Sequence, residues 1–262
     1  MFKQRLIMTL ILIPLVLGLI IYAPQPLFLG MMVILTLGMS FEWQQFFYLP
    51  QYDLPWMKTG LVFLGAVLVA KFWHLFIYMD LFFWIFATYA IVLYPKAQAK
   101  WAHSAGICFI GWLLLGVWMS ILVEWQSSAE GVEFLFSVLM IVWAADIGAY
   151  LAGRKWGQHK MIPQVSPGKS WEGLWGGVSL AMLIAYLETF YIDSVSLYVW
   201  MTVSLATALI SVAGDLWISV LKRHVALKDT GHLIPGHGGL LDRLDSLLAA
   251  VPVFYFGMKF LG

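Results

Sequence analysis

Apolar residues in this chain fall into long runs, separated by short stretches where glycine, proline and charge gather. A helix needs about 20 mostly apolar residues to cross a hydrocarbon core. Runs near residues 6–22, 27–41, 60–77, 81–94, 104–122, 134–152, 174–191, 197–213 and 247–261 meet or approach that length, which predicts nine transmembrane helices. Lys71, His74 and Asp80 crowd the turn expected between the third and fourth, and Glu188, Asp193 and Asp80 read as solvated span ends. Glu42 and Trp43 close the second run and read as an interface anchor. The first run follows a basic start, as a signal peptide would. Yet Leu6 to Tyr22 exceeds a usual apolar core, and Tyr22-Ala23-Pro24 makes a poor cleavage site, so it reads as an uncleaved span. Pro14 within it is tolerated where neighbouring helices satisfy the carbonyl it frees.

Charge adds an orientation. Lysine and arginine concentrate in cytoplasmic loops. With nine spans and a cytoplasmic N-terminus, Lys3, Arg5, Lys58, Lys96, Lys100, Arg154, Lys155, Lys160, Lys169, Lys222, Arg223, Lys228 and Arg243 share the cytoplasmic side. Only Lys71 and Lys259 fall opposite, where Glu124, Glu130 and Glu133 also lie. The two largest polar segments, 153–173 and 214–246, then both face the cytoplasm.

Composition agrees with this pattern: 62% hydrophobic residues, 11% charged and a mean hydropathy of +0.86 predict an all-α polytopic integral membrane protein, one domain over 1–262. A net charge of +1 offers no basic footprint for nucleic acid. The single cysteine, Cys108, cannot form an intrachain disulfide and reads as a packing residue.

Candidate chemistry gathers between Asp215 and Asp245, which hold four of the 14 acidic and four of the 15 basic residues. Asp215, Ser219 and Lys222 stand at i, i+4 and i+7, one helical face. They read either as a metal and phosphate ladder or as a helix end whose charges reach water. Asp215 favours the first, since a carboxylate after a long apolar run is costly unless partnered. From Lys228 and Asp229 the chain enters TGHLIPGHGG, whose glycines and proline forbid a regular helix. This loop is either a tight turn or an anion cradle in which Gly238 and Gly239 let backbone amides approach a phosphate and His237 donates or carries a proton. Asp242 and Asp245, three apart, can cap the last helix or join Asp215 around a hard divalent cation. Upstream, Asp146 sits inside an apolar span, a functional candidate by default, with a buried protonated aspartate as the alternative. The PGKS element ending at Ser170 is no phosphate loop of the Walker type, because Pro163 stands where the first glycine is required. Nor is there a GxSxG or HExxH element.

The run SVLKR at 219–223, KDTG at 228–231 and IPGHGGLLDRLD at 234–245 resembles the signature of CDP-diacylglycerol synthases, also called phosphatidate cytidylyltransferases. DIGAYLAGRKWG from Asp146 and SPGKSWEG from Ser166 resemble further family motifs, with Ser170 where threonine is more usual. The likeness is strong from Asp146 onward and loose before it. It implies an all-helical, dimeric membrane enzyme of the bacterial plasma membrane, with its catalytic portion over 146–246 facing the cytoplasm. Such an enzyme transfers CMP from CTP to phosphatidic acid, releasing pyrophosphate, with Mg2+ required and K+ as a second ion. On that resemblance Asp215, Asp242, Asp245 and Asp146 are candidate metal ligands. Lys222, Arg223, Lys228, His237 and Arg243 are candidate catalytic residues, and Ser166, Lys169, Ser170, Ser219, Gly238 and Gly239 candidate substrate contacts. Charge chemistry fits this expectation: both reactants are anionic, so neutralisation and alignment are the tasks. A CTP-dependent lipid kinase would use similar chemistry. A transporter would instead show paired repeats, broken helices and midplane charges, whereas this sequence clusters its polar residues at one face and shows no repeat.

Overall fold

Inside a bilayer the backbone must satisfy its own hydrogen bonds, and the apolar runs accordingly form helices wherever they are described. The computed structural model describes residues 14–49, 54–96, 98–192, 194–231 and 238–262, with the side chains at 99 and 100 outside that description. Within these the elements are α1 (14–22), α2 (Gln25–Trp43) ending in a 3-10 turn (Gln44–Phe46), α3 (Pro55–Lys71), α4 (Trp73–Val92) and the short α5 (Gln98–Trp101). There follow α6 (Ser104–Gln126), α7 (Ala129–Trp156), strands β1 (Lys160–Ile162) and β2 (Ser166–Ser170), α8 (Trp171–Glu188), α9 (Leu197–His224) and α10 (Leu241–Leu261). The protein is a polytopic, all-helical membrane protein. The antiparallel β1-β2 hairpin, pairing Lys160 with Ser170 and Ile162 with Ser166, is its small departure from all-α.

Six helices among the described residues are long and apolar enough to cross a membrane: α2 with its 3-10 turn, α4, α6, α7, α9 and α10. The other three predicted spans correspond to α1, of which the described part is short, to the 17-residue α3 and to the 18-residue α8, whose apolar run is diluted by glycine and glutamate. Packing nonetheless sets α3 alongside a spanning partner in the same direction: Gly65 meets Trp112, Gly116 meets Val69, and Ser120 Oγ donates to the Ala70 carbonyl at 3.3 Å.

The break between α3 and α4 lies at Phe72, not at Asp80. No helix breaker stands near Asp80, so the helix runs on through it. Asp80 is fully buried, accepting from Trp84 Nε1 one turn later at 3.1 Å, which corrects its reading as a solvated end. Asp193 lies outside the described residues.

Small residues let the helices that carry the polar segments pack closely, as expected where lipid supplies no hydrophobic drive between them. On the α7–α8 seam, a Cβ on Gly148 would stand 2.5 Å from the Gly176 carbonyl oxygen, and one on Gly177 2.5 Å from that of Ala145. The core between α6, α7, α9 and α10 is aromatic: Trp118, Trp125, Trp200 and Phe254 are buried, with Phe254 edge-on to Trp200 and Trp125.

Candidate active site

At 28 residues, α7 and α9 reach about 42 Å at about 1.5 Å per residue, well beyond about 30 Å of hydrocarbon. Each is thus longer than the hydrocarbon is thick, and their C-terminal portions carry the candidate residues. There they meet the β-hairpin, the N-terminal turn of α10 and the C-terminal turn of α2.

Gly214 sets the central geometry. A Cβ there would lie 2.4 Å from the Asp245 carbonyl oxygen, so α10 approaches α9 at the turn where Asp215 begins its polar face. Ser219 Oγ donates to Asp215 Oδ1 at 3.3 Å, as the i, i+4 spacing predicts. From β2, Lys169 Nζ pairs with Asp215 Oδ2 at 2.7 Å and donates to the Val212 carbonyl at 3.4 Å. Lys222 is buried, and its Nζ pairs with Asp242 Oδ1 at 2.7 Å across the α9–α10 seam. The second oxygen of Asp242 accepts from the amides of Thr230 at 2.8 Å and Gly239 at 3.1 Å. Asp242 thus ties together helix α9, the loop that follows it and the start of α10. Gly238 has φ of +88°, a conformation that favours glycine.

Asp245 is buried and accepts from the Ser246 amide at 2.8 Å. It lies within electrostatic reach of Asp215, Lys169 and Lys222, while Asp146, on the exposed side of α7, interacts with Asp215, Lys169 and Arg243. The result is one polar basin in which carboxylates and cations alternate.

Other candidates carry structural contacts. Arg223 donates from Nε to Val165 at 3.1 Å and from Nη1 to Leu227 at 3.0 Å, both carbonyls, so it pins the hairpin to the end of α9. Ser170 Oγ caps α8 by accepting from the Gly173 amide at 3.1 Å. Ser166 opens β2, and Lys228 is exposed on the loop. His237 lies outside the described residues. The hairpin is further fixed by His159 Nδ1, 2.5 Å from Glu172 Oε1. The Glu172 carboxyl, ahead of the predicted span, is held down to about 2 by its own backbone amide first and His159 next.

Glu42 was missed as a site residue. It is buried, not an interface anchor: its carboxylate accepts from Thr230 Oγ1 and from the Leu240 and Leu241 amides at the start of α10. The rule that favoured Asp215, a carboxylate after a long apolar run, applies equally to it.

Among the described residues, no group of three or more His, Cys, Asp or Glu converges as a ready metal cage. The donors are nonetheless hard carboxylate oxygens, and Mg2+ is commonly held by one or two carboxylates completed by substrate phosphates. Asp215 and Asp245 fit that partial role.

Residues 3–261 match the model of the cytidylyltransferase family. A phosphatidate cytidylyltransferase of Pseudomonas aeruginosa is 37% identical over 267 residues, covering 97% of this chain and 96% of the relative. One of Haemophilus influenzae is 34% identical over 288 residues, covering 98% of each. One of Staphylococcus aureus is 35% identical over 151 residues, 57% of each chain.

Proposed function

The chain belongs to the cytidylyltransferase family and is an enzyme of the phosphatidate cytidylyltransferase class, and from this premise we propose how its basin works. CTP and phosphatidic acid meet at the cytoplasmic ends of α7, α9 and α10. A phosphate oxygen of the lipid attacks the α-phosphorus of CTP. The new P–O bond forms as the bond to the β-phosphate bridging oxygen breaks, and pyrophosphate leaves with that electron pair. No covalent bond to the enzyme is needed. The observation that carries this reading is the pairing of Lys169 with Asp215 and of Lys222 with Asp242 in one polar cluster; we place that cluster at headgroup depth, where a lipid phosphate resides.

Each ammonium is oriented by a carboxylate yet keeps hydrogens for phosphate oxygens. Two anionic reactants repel, so fixed ammoniums lower the cost of bringing them together and stabilise charge on the departing pyrophosphate. Ser219 and the amides near Gly238 and Gly239 add neutral donors. Asp215 and Asp245, with Asp146 alongside, would hold Mg2+, which when bound screens the triphosphate; K+ is assigned no ligands. The bilayer supplies the lipid substrate directly, and the enzyme works as a homodimer of the bacterial plasma membrane.

The test is purified protein with CTP, phosphatidate and Mg2+, followed for both products. CDP-diacylglycerol and pyrophosphate in equal amounts are expected. CDP with a newly phosphorylated lipid would replace the proposal with a kinase, and transport in liposomes without CTP turnover would end it. Asp215→Asn and Asp242→Asn are each expected to abolish product formation in folded protein; full activity in both would remove the carboxylates from the mechanism.

A further inference from the structure

Glu42 belongs to the N-terminal half of the chain, 188 residues from Thr230 and 199 from Leu241, the donors to one of its oxygens. It is 2% exposed at the end of α2. Oε2 accepts from Thr230 Oγ1 at 2.7 Å and from the Leu241 amide at 2.8 Å, while Oε1 accepts from the Leu240 amide at 2.7 Å. Its hydrogen-bond donors are neutral: the Thr230 hydroxyl on the loop and two amides at the start of α10, whose dipole favours an anion at that position. Nearby, Gln45 Nε2 donates to the carbonyls of Glu42 and Thr230 and joins the same two segments.

The approach is close enough to require glycine twice. A Cβ on Gly239 would stand 2.5 Å from Glu42 Oε2 and 2.0 Å from Thr230 Oγ1, and one on Gly231 would stand 2.8 Å from Glu42 Oε1. Two glycines of the loop thus make room for this carboxylate as well as for any substrate.

What Glu42 holds leads directly into the basin. Thr230 Oγ1 lies 2.7 Å from Glu42 Oε2 and 3.1 Å from Asp242 Oδ2, and its one hydrogen goes to the nearer carboxylate, that of Glu42. The Thr230 amide remains for Asp242 Oδ2 at 2.8 Å, and Asp242 Oδ1 holds Lys222 Nζ at 2.7 Å. Leu241, fixed by Glu42, immediately precedes Asp242. An apolar residue at position 42 could fill the same space without a buried charge, but it would leave two helix-start amides unpaired and turn the Thr230 hydroxyl to Asp242 Oδ2, 3.1 Å away.

We propose that Glu42 is a positioning residue of the reaction: through Thr230 and the first turn of α10 it fixes Asp242, and thereby the ammonium of Lys222, for phosphate. The inference rests on the cytidylyltransferase reading of the basin and extends it to a helix outside the stretch 146–246. Groups that orient a working residue typically contribute 10- to 100-fold to activity.

The test compares Glu42→Gln, Thr230→Val, Thr230→Ser and the double variant Glu42→Gln/Thr230→Val with wild type, with kcat normalised to folded protein. Glu42→Gln keeps size but puts an NH2 group where an amide or hydroxyl now donates. Its kcat is expected to fall about 10- to 100-fold, with KM for CTP within about threefold. Thr230→Val should fall in the same direction and Thr230→Ser should restore most of the rate. Because the two residues act along one path, the double variant should lose less than the product of the single losses. Wild-type kcat in Glu42→Gln, or fully multiplicative losses, overturns the proposal. If Glu42→Gln does not fold, the threonine pair decides alone: a valine variant as fast as the serine variant overturns it. Wild-type protein that forms no CDP-diacylglycerol removes the catalytic reading itself, whereas active wild type with unaffected variants removes only the role of Glu42.

Discussion

The two lysine–aspartate pairs of the basin differ in burial, and that difference decides what each substitution does. Lys222 and Asp242 keep only 11% and 10% of their side-chain surface exposed. Removing one member of such a pair leaves a buried charge without its partner, at about 3 kcal/mol or more. Lys222→Met is therefore expected to lower both product formation and thermal stability, and Lys222→Met/Asp242→Asn to regain stability while staying inactive. Unfolding midpoints in detergent, read beside activity, check this; a double variant less stable than both singles would contradict it. Lys169 and Asp215 retain 23% and 33% of their surface, so solvent screens their attraction and the pair contributes about 1 kcal/mol or less. Lys169→Ala should consequently leave the unfolding midpoint nearly unchanged while lowering the rate of CDP-diacylglycerol formation by about 100-fold, the scale of one lost charge-stabilising group. A large drop in midpoint would instead make Lys169 a structural residue.

Among the elements, the α9–α10 seam matters most, because one glycine sets the separation of two carboxylate-bearing helices. A side chain at Gly214 meets backbone, which cannot swing away as a flexible side chain can. Gly214→Val is expected to destabilise by about 1–3 kcal/mol and to abolish activity together, checked by thermal unfolding and the product assay. Ser170 supplies a contrasting case. As the cap of α8, its replacement by alanine should cost about 1 kcal/mol of stability with little change in KM for CTP. A raised KM without a stability loss would instead assign the hydroxyl to substrate. These elements also show what the sequence could and could not convey. The helices were legible because hydropathy is a local property, and so was the face shared by Asp215, Ser219 and Lys222, because 3.6-residue periodicity is local too. Which lysine meets which aspartate was not legible: it depends on helix rotation and separation, set by contacts such as Gly214 against Asp245. Asp80 was misplaced for a related reason, since a charge in an apolar run looks like a span end until a partner such as Trp84 one turn away accounts for it. Glu42 was overlooked because all its carboxylate partners lie nearly 190 residues or more along the chain.

The whole molecule places its chemistry at one end of its helices, so topology and function constrain each other. The seams α7–α8 and α9–α10 are antiparallel, while α3 runs with α6. Connected through short links, this arrangement brings the ends of α2, α7 and α9 to the same level as the starts of α6, α8 and α10. If α3 and α8 cross as well as the six longer helices, Lys160 lies on the side of the basin, and Lys71, Glu130 and Ser194 lie opposite. The exposed positions make this measurable by cysteine labelling. Cys108 is buried, so Cys108→Ala gives a silent background for single reporters. A membrane-impermeant maleimide should label Lys71→Cys, Glu130→Cys and Ser194→Cys on intact spheroplasts, and Lys160→Cys only in inverted vesicles. Each reporter isolates one helix. Ser194→Cys protected in spheroplasts alongside Lys160→Cys would mean that α8 does not cross, and the same behaviour at Lys71 would reduce α3 to a partial span. Labelling of Lys160→Cys from outside would be the more serious result, because it would put the basin on the face away from cytoplasmic CTP. The expected pattern follows from the concentration of lysine and arginine in cytoplasmic loops, and on the proposed mechanism the lysines that set this orientation also line the place where two phosphates meet.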